Sequence, residues 1–290
     1  MKLKTITTIL ALAALSTISS QLATARAQGA LTPPGAPAPT MKSLDQIESR
    51  TAITNRTSVF TIAEPGSYYL TGNLTVATND AIIVNTNNVT LDLNGYTIRS
   101  TCPSVVGYGI MLNGNRSDIT ILNGHIVSGT TNNGSGVFSG NGFNSGIYTF
   151  GTPANVIVSH VSVSGVGVHG INLSSGGSTL VESCTTRNTG HSGISASTVK
   201  NCLAIECNFT AISGDQVSDS RGESYNIYGV SAKTAVNCYG ESVNSIGLVT
   251  TVANNCVGYR FGGTAIQAAV ANGCYAIVGT NNITYKYNMP

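Results

Sequence analysis

The 290-residue chain has no tryptophan, and only 9% of its residues are charged, where an average globular protein has about 25%. So few Lys, Glu and Arg exclude coiled coils and charged helical bundles. Apolar runs are short as well. None reaches the roughly 20 residues that a membrane-spanning helix needs. There is no Cys-x-x-Cys and no Cys/His cluster, which leaves no metal-ligand signature of the zinc type. Excess charge of one sign is missing too. The formal net charge is +2, but Lys2, Lys4 and Arg26 fall in a leader-like segment, and the remainder carries 11 basic against 12 acidic residues. Such a chain is a poor partner for a polyanion, so nucleic acid is excluded. Disorder is excluded by a 41% hydrophobic fraction combined with low net charge.

What is abundant is glycine (33 residues), together with Asn, Ser and Thr. The first 27 residues have the three parts of a secretory signal: Lys2 and Lys4, an apolar stretch from Ile6 to Ile18, and Ala25-Arg26-Ala27 as a small-x-small cleavage site. This predicts export, to the cell envelope or beyond, with no stable membrane span. Residues 28–40 are rich in Pro and Ala and read as an extended linker. A Ser43-x-x-Gln46 capping box with Met41, Leu44 and Ile47 at one-turn spacing predicts a short helical cap. Residues 41–290 are then one domain, interrupted by a Gly/Asn-rich insert at 128–153.

The strongest pattern is a repeat of 18 residues. Cys184, Cys202, Cys238, Cys256 and Cys274 fall on it, with Ser220 in the one gap. Three residues before each come Val181, Val199, Val217, Ala235, Ala253 and Ala271, and ten after come Ile194, Ile212, Val230, Leu248 and Ile266. Immediately before each stands a short polar residue or glycine: Ser183, Asn201, Asp219, Asn237, Asn255 and Gly273. Eighteen residues are too few for a helical-hairpin repeat, which takes about 33 or more. They suffice for one coil of short strands, stacked on the next at about 4.8 Å so that equivalent residues form ladders. Upstream, Asn88-Val-Thr-Leu91, Asp118-Ile-Thr-Ile121 and Asn155-Val-Ile-Val158 each open a strand after a turn residue. Phe60, Ile62, Tyr68, Leu70 and Leu74, with Pro65-Gly66 between, suggest a hairpin-like entry.

The fold class is therefore all-β, a single-stranded right-handed parallel β-helix. The stretches Glu64-Pro-Gly-Ser-Tyr-Tyr-Leu-Thr-Gly-Asn73 and Asn88-Val-Thr-Leu-Asp-Leu-Asn-Gly-Tyr-Thr-Ile98 resemble secreted bacterial β-helix repeat proteins, similar to the pectate-lyase-like superfamily. That resemblance implies action on acidic polysaccharides through carboxylates, a basic residue and, for a lyase, Ca²⁺. The implied motifs are absent: there is no Asp-Asp pair, and of the polygalacturonase-like strings only Gly190-His191-Ser192-Gly193 comes near. No cofactor is expected, and Ca²⁺ only if the protein is a polysaccharide lyase.

In an exported chain, cysteines default to disulfides. Residues stacked about 4.8 Å apart exceed the roughly 3.8 Å that a disulfide asks of its Cβ atoms. A ladder of interior thiols is favoured, with bridges at 238–256 or 256–274 as the rival.

If Cys202 and Ala204 face inward, the residues one and three after each ladder position face outward. That face collects Arg187, Arg221, Glu223, Tyr239, Glu241, Tyr259 and Tyr275. Glu223 and Glu241, 18 apart, would stack as a carboxylate pair and are the weak catalytic candidates for a glycoside hydrolase or lyase. Arg221, Tyr239, Tyr259 and Tyr275 are candidates for binding sugar, joined by Phe138, Phe143 and Tyr148 of the insert. The bland alternative for the insert is another coil that buries Ile147 and Phe150. His169 and His191 should lie close together, most simply in a structural role beside Phe209 and Ile227. The expected function is interaction with extracellular or cell-surface polysaccharide without catalysis. The alternatives are an enzyme acting through the carboxylate pair and a structural or adhesive rod.

Overall fold

The computed structural model describes residues 50–54, 57–174 and 177–289. The chain divides into two units, Met1–Glu48 and Ser49–Pro290, and every described residue belongs to the second. The predicted leader, linker and capping helix lie outside the described residues.

Alternating inward and outward side chains make each strand half-buried, and the strands join edge to edge in parallel. Among the described residues, 24 of 26 strands form one continuous sheet, wound into three walls as a right-handed parallel β-helix. The first wall carries the inward column Leu91–Ile121–Val158–Val181–Val199–Val217–Ala235–Ala253–Ala271. The second runs Leu74–Ile98–Ile126–Val163–Thr186–Ala204–Gly222–Gly240–Gly258. The third is the isoleucine column Ile82–Ile110–Ile147–Ile171–Ile194–Ile212, continued by Val230, Leu248 and Ile266. These aliphatic side chains are almost wholly buried, and each large one contributes on the order of 2 kcal/mol.

The second column tapers from leucine to glycine, and this is how an 18-residue coil closes. A Cβ on Gly240 would meet the carbonyl oxygen of Gly247 at 2.3 Å, and one on Gly222 would meet that of Gly229 at 2.0 Å. The second and third walls approach there backbone to backbone.

The bend between the first two walls explains the polar column before each ladder cysteine. Ser183, Asn201, Asp219, Asn237, Asn255 and Gly273 all have positive φ, between 50° and 63°. That left-handed conformation is open mainly to Gly, Asn and Asp. Their side chains also link coils, as where Asn237 Nδ2 donates to Asp219 Oδ1 at 3.0 Å. At a second corner, Asn226 donates to Asn208 at 2.6 Å and Asn244 to Asn226 at 3.0 Å. All seven cysteines are buried and unbridged. The Cys256 N–H donates to Cys274 Sγ at 3.2 Å. Burial pushes the Cys207 thiol up to about 12.

Three expectations need correction. The hairpin-like entry is not a hairpin. Phe60–Ile62 pairs in parallel with Ile82–Val84, and Gly66–Leu70 with Val89–Asp92, because Pro65-Gly66 turns the chain from one wall to the next rather than back on itself. The insert is shorter than 128–153. Thr131–Asn132 and Phe138–Ser139 form a small antiparallel hairpin, while Ser145–Phe150 is a strand of the third wall. Ile147 is buried there, but Phe150 is 46% exposed. Finally, Phe143 is fully buried in the core, since its position just before that strand points inward, so it offers no surface to a ligand. Among the described residues, no helix is long and apolar enough to cross a membrane.

Candidate functional site

The outward face of the second wall assembles most of the predicted residues. In register, Leu203, Arg221, Tyr239, Val257 and Tyr275 form one outward row on successive coils. Glu223, Glu241 and Tyr259 form the next. The expected stacking of Glu223 on Glu241 is therefore present in the pairing.

The side chains on this face are wired to one another. The Arg221 guanidinium carbon lies 4.7 Å from the Tyr239 ring centroid, and Arg221 Nε donates to Glu223 Oε1 at 2.6 Å. The Tyr239 hydroxyl donates to Glu241 Oε2 at 2.9 Å. Burial, then the adjoining Glu241 carboxylate, raises the Tyr239 phenol above its ordinary range, so it stays a donor. The two glutamates are thus engaged by different partners. A third carboxylate, Glu206, joins them around a hollow of about 120 Å³ also lined by Ser224, Tyr225 and Val243. Glu206 has φ 53°, like Asn188 one coil earlier. Arg187 grips it through two bonds of 2.9 Å, and that pairing holds its carboxyl below the usual range. Spacing alone did not reveal Glu206, because a β-bulge between Ala204 and Cys207 displaces it. Among the described residues, no group of three or more His, Cys, Asp or Glu is arranged to hold a metal ion.

Beside this face runs a groove of about 520 Å³, parallel to the stack. One bank is the bend column Asn201, Asp219, Asn237 and Asn255. The other is Leu203, Arg221, Tyr239 and Val257, with Cys202, Ser220 and Cys238 at the bottom. The bend column keeps a short polar side chain on every coil, while the facing row changes from Leu203 through Arg221 and Tyr239 to Val257, and Tyr275, 46% exposed, follows Val257 in that row. Three amides and the Asp219 carboxylate are therefore presented along a line at the spacing of the coils, about 4.8 Å, with one cation and one tyrosine opposite them. Tyr259 stands in the neighbouring row and does not line the groove.

The insert aromatics part company. Phe138 packs edge-on against Tyr225, with ring centroids 5.9 Å apart, so the hairpin leans toward the glutamate hollow from a distant part of the sequence. Tyr148 belongs to the third wall. It is the second ring of a stack that the sequence disclosed only in part: Tyr108–Tyr148 at 5.0 Å, Tyr148–His169 at 5.9 Å, His169–His191 at 5.0 Å and His191–Phe209 at 4.1 Å. Most of these rings lie face to face, which spends their faces on one another. Burial, then His191, lowers His169 to about 4, and burial lowers His191, so both imidazoles are neutral at pH 7.

The fold class is thus a right-handed parallel β-helix with an axial groove. No protein-family model matches the chain, and no curated protein does. Among solved structures, one named "putative glycosyl hydrolase", from Parabacteroides merdae ATCC 43184, aligns at 13% identity and a TM-score of 0.19, covering 82% of this chain and 81% of that one. A likeness of that degree carries no argument about activity.

Proposed function

We propose that this protein is an exported polysaccharide-binding β-helix, and that it holds an extended chain in the groove between the asparagine column and the Arg221/Tyr239 row without cleaving it. The observation that carries this reading is the column of short polar side chains repeated at one coil spacing, Asn201, Asp219, Asn237 and Asn255, facing Arg221 and Tyr239 across the groove, which suits an extended ligand. Nearly neutral overall charge leaves hydrogen bonds and aromatic contact as the means of recognition. The leader-like segment at 1–27 supports export.

Binding without turnover is favoured by the engagement of both candidate carboxylates: Glu223 is ion-paired with Arg221, and Glu241 accepts from Tyr239. The test is incubation of the protein with neutral and uronate polysaccharides, with and without Ca²⁺, following retention on the polymer and release of reducing or unsaturated ends. Retention with no new ends is the expected result. Release of ends that Glu223→Gln/Glu241→Gln abolishes would make the protein an enzyme instead.

A further inference from the structure

On the third wall, the outward row Tyr148–Asn172–Ser195–Ser213–Ser231 changes height abruptly. Tyr148 is tall, while the four residues after it are short and polar. Phe150, two residues along the same strand, stands beside Tyr148 and completes the step. Its ring meets Tyr148 and Tyr108 edge-on at 5.1 and 5.5 Å. Those contacts hold it in place, yet it remains 46% exposed. Below the step lies a trough of about 400 Å³ lined by Tyr148, Thr149, Phe150, Gly151, Asn172, Ser174 and Ser195. Among the described residues, no charged side chain lines it. Asn172 is oriented by accepting from the Ser174 N–H at 2.9 Å.

A track of short polar side chains that runs into an aromatic wall has one open end and one closed end. A fixed aromatic face with an amide and hydroxyls around it suits a sugar ring, whose faces are apolar and whose rim is polar. The absence of charge suits an uncharged one. We infer that this trough is a second binding site, which takes the terminal unit of a neutral oligosaccharide against Phe150, with the chain leading away over Ser195, Ser213 and Ser231. The site lies on a different wall from the Arg221/Tyr239 groove and stands or falls separately from it.

The probes are cellohexaose, xylohexaose and mannohexaose, with longer polymers of the same sugars. At least one hexaose shifts the backbone amide signals of residues 148–151, 172–174 and 195. Its affinity, counted per chain end, is the same for the polymer as for the hexaose. Phe150→Ala weakens binding about tenfold or more, and Arg221→Ala changes it by less than about twofold. Ser213→Trp, which blocks the track, weakens the hexaose but leaves the disaccharide of the same series unaffected. The inference is overturned if no probe moves those signals at millimolar concentration, or if affinity counted per chain end is higher for the polymer than for the hexaose in the Arg221→Ala variant. Retention of Phe150→Ala affinity in a variant that melts like the parent overturns it equally. Loss of hexaose binding in Arg221→Ala with Phe150→Ala unaffected places the probe in the groove and overturns the inference too.

Discussion

Arg221 and Tyr239 stand on adjacent coils with the guanidinium carbon 4.7 Å from the ring centroid, and each then reaches the carboxylate two residues further along its own strand. Four residues on two rungs thus form one connected strip. The cation is held over the ring, the phenol is held as a donor, and neither glutamate is left as a bare carboxylate. This arrangement fixes the side chains of the outward face into one bank for the groove beside it.

The thiol ladder makes a simple prediction. In denaturant, the protein purified without reductant titrates seven thiols, and in the native state almost none, because all seven are buried. A count of five or fewer in denaturant means that stacked cysteines have bridged, and the free ladder is then wrong.

The taper of the second wall predicts where size is forbidden. Gly240→Val places side-chain carbon against the backbone of Gly247 and lowers stability by roughly 2 kcal/mol or more, as overpacking does. Ala204→Val, further up the same column, costs less because that position already holds a Cβ and the upstream coils carry Val163 and Thr186 there. Chemical denaturation of the two variants checks this, and equal costs would contradict it.

These features differ in how far the sequence disclosed them. The bend column was legible because left-handed backbone selects Asn, Asp and Gly, and the selection recurs every 18 residues. The outward row was legible from the same spacing once Cys202 was read as inward. Glu206 was not, because a bulge breaks the count. Phe143 misled because composition marks a loop but not which way a side chain faces. The Phe138–Tyr225 contact joins residues 87 positions apart in the chain, and nothing periodic connects them. The Phe60–Leu74 segment resembled a hairpin because a Pro-Gly turn between apolar strands serves a wall-to-wall corner just as well.

Histidine burial predicts acid sensitivity. His169 is depressed to about 4 from an ordinary value of 6.5, and its Nδ1 is buried without a hydrogen-bond partner. The folded state therefore binds this proton less readily than the unfolded chain. The contribution is fully present above pH 6.5 and is lost as pH falls toward 4, on the order of 2 kcal/mol. Urea midpoints between pH 7.5 and 4.5 should fall, and His169→Phe, which keeps a ring in the stack, should flatten that slope. An unchanged slope would assign the acid sensitivity to other groups.

The groove itself is tested most directly by retention in affinity electrophoresis through gels containing a panel of neutral and uronate polysaccharides, comparing the parent with Arg221→Ala/Tyr239→Ala. Thermal melting of both proteins establishes that the fold survives. At least one polysaccharide is expected to retard the parent, and the double variant, still folded, to bind it about tenfold or more weakly. Equal retardation of a folded double variant, or no retardation of the parent by any polysaccharide, would contradict it.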